Sequence, residues 1–304
     1  MASAKEIKTH IGSVKNTQKI TNAMYLIAST QLRRARENLA HTQPYFDALR
    51  TEIERAFQHA GRVNTPYAAT SREAREDDAY GCLVLTTDHG LAGAYTQNVA
   101  EAAEQLVAMH ENTRLFVVGS WGRQHFLLRG LAVDEDFSYL SHSPDLSRAR
   151  EIAAHLLDLY ERGEIKKLYV VYTELRGMVQ RVITEELLPI EPTRFTDGEE
   201  HKEFNFEPSA DAVIASAVPG YVTGYLYSAM VESYCAEQSA RASAMDAASD
   251  NAQELLDELT KEYNHERQGA ITQEIIEVSA GARAKKKKRE AHGDERNEKY
   301  RHDH

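Results

Sequence analysis

The sequence predicts an α/β protein in which the N- and C-terminal helices form a long antiparallel coiled coil around an inserted, mostly parallel, Rossmann-like α/β domain. Three observations predict it. Both ends carry apolar or small residues at alternating three- and four-residue steps. Residues 4–58 hold one glycine and one proline, and no proline follows Pro219 up to Ala284. The middle alternates short β-branched runs with amphipathic helical ones. The first pattern is the seam of a helix lying along another helix, and the last is that of a βα sheet.

At the N-terminus the seam runs through Ile7, Ile11, Val14, Thr21, Met24, Ala28, Leu32, Ala35 and Leu39, with one polar break at Gln18. A helix over 4–58 would reach roughly 80 Å, more than a small globular domain can cover. Pro44 should kink or split it, because proline lacks the amide donor and crowds the preceding turn. At the far end, from about Pro219 to Ala284, the seam steps through Met230, Tyr234, Ala244, Ala248, Leu255, Leu259, Ile271, Ile275 and Val278. Its alanine-rich part, 236–252, lets two helix axes approach closely. Two such ends on one chain, joined through a middle domain, should pair antiparallel.

Between them, 62–78 is polar, with a proline and an acidic run, and reads as a linker. Strands follow at 82–87 (CLVLTT), 115–119 (LFVVG) and 168–173 (LYVVYT), with helices at 97–110, 122–128 and 147–161. A further strand is expected at 133–140, an extended edge segment at 179–190 and a short one at 203–206. The domain plan is therefore an N-terminal shaft helix at 1–60, an α/β foot at 61–208, a C-terminal shaft helix at 209–284, and a basic polar tail at 285–304 without fixed structure. The run Lys285-Lys286-Lys287-Lys288-Arg289 should fray the helix by repulsion.

Composition narrows the function. The 304 residues carry a net charge of -11, but residues 1–60 are net +4, 61–284 net -18 and 285–304 net +3. Different parts should meet different partners. Phosphate contact is one reading of the basic ends, but the first helix mixes its charges with an apolar stripe, and no nucleic-acid partner is expected. Two cysteines, Cys82 and Cys235, exclude a disulfide scaffold and a four-cysteine zinc site. No stretch approaches the roughly 20 apolar residues of a membrane helix, so direct membrane insertion is not expected. The N-terminus has no apolar signal core.

A search for chemistry finds no catalytic set. The loop 86–95 (TTDHGLAGAY) follows a strand and precedes a helix like a phosphate cradle, yet it has neither three-glycine spacing nor GxxxxGK[ST]. A tight turn is the simpler reading. Gly119-Ser120-Trp121-Gly122 is similar, and Ser120 has no partnered histidine and acid. Asp134-Glu135-Asp136 lacks the glycine of a calcium loop and reads as solvated. His302 and His304 sit in the tail, a poor preorganised metal site. Catalytic residues, cofactors and metals are all expected to be none.

The end helices carry a resemblance. Lys5-Glu6-Ile7-Lys8, the run from Ser13 to Met24 (SVKNTQKITNAM) and Leu32-Arg33-Arg34-Ala35 look like the opening helix of F-type ATP synthase gamma subunits. Ala240-Arg241, Ala244-Met245, the run from Ala247 to Ala252, Tyr263-Asn264, and the run from Arg267 to Glu277 closing at Gly281-Ala282 resemble its terminal signature. Asp88, Gly90-Leu91 and Gly93 resemble its GLCG loop, with Ala92 in place of the cysteine. Val179-Gln180 and Glu186-Leu187-Leu188-Pro189 resemble its edge segment. The likeness covers 2–284 in order.

The resemblance implies a central rotor shaft, non-catalytic itself, that couples ion-driven rotation of the c-ring to conformational change in the alpha3beta3 ring of alpha and beta subunits. The epsilon subunit lies beside the foot. It implies a peripheral place on the cytoplasmic face of a bacterial cell membrane. Carried over by motif, Met24 is the coupling methionine; Arg267, Gln268, Thr272 and Glu274 are polar contacts with the ring; Arg241 is a shaft arginine facing it. Tyr25 and Leu26 replace the usual charged residue and methionine, which should tighten apolar contact with beta. Those departures keep a divergent gamma-like paralogue of another rotary complex in view, beside a stalked α/β phosphate-handling enzyme.

Overall fold

The computed structural model describes residues 3–59, 65–68, 79–110, 112–177, 179–190, 207 and 209–301. In chain order the elements are α1 (Ala4–His59), β1 (Tyr80–Leu85), α2 (Tyr95–Met109), β2 (Thr113–Val118), α3 (Ser120–Leu128), α4 (Leu146–Glu161), β3 (Lys167–Arg176), β4 (Val179–Leu188) and α5 (Ala210–Arg301). They pack as two compact units: Met1–Asn22 with Ala247–His304, and Ala23–Asp246.

In the first unit, α1 opens on a reciprocal cap. Ser3 N donates to Glu6 Oε2 at 2.8 Å, and Glu6 N donates to Ser3 Oγ at 3.4 Å. This satisfies two amides that a helix start leaves unpaired. Ile7 and Val14 then bury against Ala252, Leu256 and Leu259 of α5, with Ile11 and Tyr263 packed on the same cluster. The polar break in the seam has a partner: Gln18 Nε2 donates to Gln253 Oε1 at 3.0 Å. This apolar cluster reaches only to Tyr263, so Ile271, Ile275 and Val278, expected in the seam, are exposed instead. They lie past the first turn of α1, and among the described residues no helix packs on them.

The second unit holds a four-stranded sheet in the order β2-β1-β3-β4. β1 pairs parallel with β2 and β3, and β4 runs antiparallel along β3 as an edge. Alternate residues of β1 point to opposite faces, as pleating requires. Leu83 and Leu85 join a core with Phe116, Val118, Leu168 and Val170, covered by α4 and by parts of α1 and α5. Cys82 and Val84 join a second core with Leu115, Val117 and Val171, covered by α2 and α3.

Ile53, Ala56 and Phe57 of α1 and Ile214, Val218, Val222 and Leu226 of α5 belong to the first of these cores. Boundaries at 60 and 209 therefore cut through what packs as one unit. Tyr234 Oη donates to Gln31 Oε1 at 3.0 Å. Further along, Phe46 lies against Gly224 and Leu49 against Gly220. Rising numbers on α1 thus meet falling numbers on α5, so within this unit the two helices run antiparallel. Pro44 sits inside α1 without ending it. The packing of its neighbours Phe46 and Leu49 on those two glycines carries the helix past the missing donor.

The expected strand over 133–140 is absent. Only two isolated parallel bridges form, Leu115 to Val133 and Val118 to Tyr139. Asp134 breaks the segment: its Oδ1 accepts from Asp136 N at 3.0 Å and Phe137 N at 2.9 Å, closing a turn. Asp134 is buried and ion-paired with Arg114, not solvated as its acidic run suggested. The backbone helix of α5 continues through the Lys285–Arg289 run to Arg301. Lysine, arginine, glutamate and alanine are all good helix formers, and that propensity outweighs the repulsion along the run. The linker is described only at 65–68; the expected segment at 203–206, and His302 and His304, lie outside the described residues.

The loop after β1 is a tight turn into α2, but Asp88 makes it more than that. Asp88 Oδ1 accepts from Ser120 N, the first residue of α3, at 3.0 Å. Its Oδ2 accepts from Ser141 N at 2.9 Å and His142 N at 3.1 Å, with His142 Nδ1 at 3.1 Å. Gly119, immediately before α3, has φ +104°. A Cβ there would lie 2.6 Å from Thr86 Oγ1 and 2.7 Å from the Thr87 carbonyl oxygen, so only glycine fits. Burial pushes the Asp88 carboxyl up, but the Ser120 amide, the His142 ring and the His142 and Ser141 amides outweigh it and hold it below its ordinary value.

Two outcomes follow from this packing. At Gly224 an added Cβ would sit 2.1 Å from Phe46 Cδ1. Gly224→Ala should therefore lower unfolding stability by about 1–3 kcal/mol through overpacking, read as a reduced urea midpoint. Because Asp88 has a lowered folded pKa, its contribution is present above the ordinary carboxylate value and lost as pH falls through the folded one. Wild-type stability should fall more steeply than that of Asp88→Asn below about pH 4, measured by urea titration at stepped pH.

Candidate coupling surface

The sequence-predicted residues fall in both units. Met24, Tyr25 and Arg241 belong to Ala23–Asp246; Arg267, Gln268, Thr272 and Glu274 belong to the unit of the chain ends. Met24 and Tyr25 are half-buried on α1. Beside them Leu26 and Ile27 are each 57% exposed, an unusual state for two consecutive large aliphatic residues. Thr21 and Ala28 are buried on the seam face, so the helix turns Leu26 and Ile27 away from it.

Arg267, Gln268, Thr272 and Glu274 are all exposed on α5. Arg267 and Glu274 are seven residues apart and share a face, with Gln268 and Thr272 one turn apart next to it. Thr272 Oγ1 donates back to the Gln268 carbonyl at 2.9 Å, a local bond within the helix. Around them Ile271, Ile275, Ile276 and Val278 are exposed, the last at 73%. This stretch of α5 thus carries an apolar surface with polar groups set into it.

Arg241 differs from expectation. Its side chain is only 12% exposed and does not face outward. Its Nη2 pairs with Glu237 Oε1 at 2.7 Å and donates to the carbonyls of His89 at 3.3 Å and Gly90 at 3.4 Å. Thr87 Oγ1 donates to the same Glu237 oxygen at 2.8 Å. Burial pushes the Glu237 carboxyl up, against the pull of Arg241 and Thr87. The physical reason for the inward turn is that buried carboxylate: without a cation four residues on, it would carry an uncompensated charge.

Glu237 and Thr87 were missed from sequence. The available signal was the four-residue spacing of Glu237 and Arg241, a helical ion pair, but nothing in that spacing says that it is buried. The clamp fixes the loop that follows β1. Ala92 is buried within it, while Leu91 is 64% exposed at φ +66°, a conformation that bulky residues rarely adopt. Asp88 fixes one end of this loop and Arg241 its middle, so Leu91 is held out on a rigid support. Among the described residues, no helix is long and apolar enough to cross a membrane.

The comparisons agree with this geometry. A family model described as ATP synthase matches residues 3–284. The chain is 37% identical over 291 residues to an ATP synthase gamma chain of Caldanaerobacter subterraneus subsp. tengcongensis, covering 91% of this chain and 98% of that one. It is 35% identical over 298 residues to the sodium ion specific ATP synthase gamma chain of Acetobacterium woodii, covering 92% of this chain and 97% of that one. Among solved structures it superposes on a chain of the Euglena gracilis mitochondrial ATP synthase rotor with a TM-score of 0.61, at 13% identity, over 88% of this chain and 98% of that one. A chain of the Tetrahymena thermophila mitochondrial ATP synthase central stalk and c-ring structure gives a TM-score of 0.56 at 18% identity, over 76% of this chain and 99% of that one. With both end helices, the inserted sheet and near-complete relatives in agreement, the chain belongs to the gamma-chain family of F-type ATP synthases.

Proposed function

We propose that this chain is the central rotor shaft of its ATP synthase and takes no catalytic part itself. The c-ring turns it, the epsilon subunit lies beside its α/β unit, and it turns within the alpha3beta3 ring, peripheral to the cytoplasmic face of the membrane. The observation that carries this reading is the exposed apolar surface on α5 at Ile271, Ile275, Ile276 and Val278, which nothing in the described chain covers. A helix surface of that kind needs a partner, and its polar insertions at Arg267, Gln268, Thr272 and Glu274 give that partner a rotational register.

Met24, Tyr25, Leu26 and Ile27 form the second contact with the ring, on α1. Arg241 acts there indirectly, by holding the loop that presents Leu91. Torque passes because the ring's subunits bind an asymmetric shaft differently at different angles, so turning the shaft shifts their conformational populations.

Co-expression with alpha and beta subunits should yield a stable complex with one copy of this chain; separate elution on size exclusion would refute the reading. Ile275→Asp removes one apolar contact and places a charge in it. A loss of about 2 kcal/mol, roughly thirtyfold in retention of the chain by the ring, is expected in a dissociation assay. Tyr25→Lys should leave the complex assembled and lower ATP-driven ion pumping several-fold relative to ATP hydrolysis. Unchanged coupling would remove Tyr25 from the contact.

A further inference from the structure

The family match stops at residue 284, but the backbone helix of α5 continues to Arg301. At 1.5 Å per residue the stretch 285–301 adds about 25 Å, which none of the roles above uses. At its root stand Arg283, Lys285, Lys286, Lys287, Lys288 and Arg289, with no acidic residue between Glu277 and Glu290. Arg283 and Lys285 are exposed.

On a helix, a charge is offset by an opposite one three or four residues away. Arg283, Lys285, Lys288 and Arg289 have no acid at either spacing, and have other cations there instead. Further on, Glu295 stands four residues before Lys299 and Glu298 three before Arg301, so that stretch carries its own counter-charges. The uncompensated charge is confined to 283–289.

Its distribution round the helix is the second observation. Successive positions on a helix are about 100° apart. Position 283 and positions 285–289 therefore encircle the axis, and no arc wider than about 100° lacks a cation. The polar set Arg267, Gln268, Thr272 and Glu274 instead lies within an arc of about 160°, with Ile271, Ile275 and Val278 inside it. One segment of α5 is one-sided; the next, about two turns on, is a closed collar. A one-sided contact changes as the helix turns within a ring, whereas a collar presents the same charge at every angle.

We propose that residues 283–289 form an axial bearing, an electrostatic collar that seats against an acidic surface of the alpha3beta3 ring and centres the end of α5 at every angle of rotation. The proposal rests on the rotor reading above. The ring is the partner because the collar continues, along the same helix, the surface at 267–278 assigned to that contact. Its surface there is acidic because a basic one would repel the collar and an apolar one would strip water from unpaired cations.

The test uses the full chain co-expressed with alpha and beta subunits. Lys285→Gln, Lys286→Gln, Lys287→Gln, Lys288→Gln and Arg289→Gln together remove the charge and keep a good helix former at each position. Dissociation of this variant from the ring at low salt, followed by size exclusion, should be about tenfold faster than that of the wild type. Raising salt from about 50 to about 500 mM should speed the wild type until the two agree, because exposed charges are then screened within a few ångströms. Ions pumped per ATP hydrolysed should stay the same, since a collar has no register. A second variant, Arg283→Gln with Lys286→Gln and Lys287→Gln, leaves its cations within an arc of about 100°. In single-molecule rotation it should add pauses at fixed angles that the wild type lacks.

Equal dissociation of the wild type and the five-residue variant at low salt would overturn the proposal, as would the absence of added pauses in the second variant. A lower pumping ratio in the five-residue variant would also overturn it, by placing the run in the coupling contact. So would salt-sensitive binding of duplex DNA by the full chain that this variant loses while its hold on the ring is unchanged. Failure of the wild type to assemble would overturn the rotor reading and this one together; an assembled complex indifferent to the variants would overturn this one alone.

Discussion

The contact on which the rest of this structure depends is the burial of one sheet face beneath α4 and the two end helices. Leu83, Leu85, Leu168 and Val170 give that face, and Ile53 and Phe57 of α1 with Val218, Val222 and Leu226 of α5 cover it. Burial of large aliphatic side chains contributes roughly 1.5–3 kcal/mol each, so together they outweigh any single polar contact among the described residues. The α/β unit is thus completed by residues far apart in sequence. It cannot be separated from the helices without exposing its core.

Polar contacts serve another end, the aiming of the loops. Asp88 ties the loop after β1 to the start of α3 and to Ser141 and His142. Glu237 and Arg241 tie the same loop to α5. Arg123 does likewise for the turn at Asp134, donating to the carbonyls of Asp134, Glu135 and Phe137 at 2.8, 3.1 and 2.9 Å. In each case one charged side chain satisfies several backbone or side-chain groups, which fixes a loop better than an exposed ion pair does.

Much of this was legible in the sequence, and what was not shares a cause. The seam positions Ile7, Val14, Thr21, Ala28 and Ala35 are all buried, because helical periodicity is a local property that records a burial requirement. The three parallel strands and three short helices lie where their residue runs put them. The seam failed at Leu255, where Leu256 is buried instead, and at Ile271, Ile275 and Val278, because periodicity shows that a face is apolar but not what covers it. Asp134 was misjudged because its partner Arg114 is distant in sequence, and Arg241 because its spacing to Glu237 does not show that the pair is buried. Charge runs such as Lys285–Arg289 mislead in the opposite direction, since repulsion and intrinsic helix propensity pull against each other.

The carboxylate of Asp88 has one more consequence. In open α/β sheets, ligands favour the crevice at the carboxyl ends of the strands, where the strand order reverses. Here the order β2-β1-β3 reverses at β1, and Asp88 lies just past its end. Its oxygen already takes the first amide of α3, the group a phosphate would seek. A nucleotide approaching that mouth would have to evict a resident anion and then endure its repulsion. At that mouth one of the chain's own carboxylates is already seated on the first amide of α3.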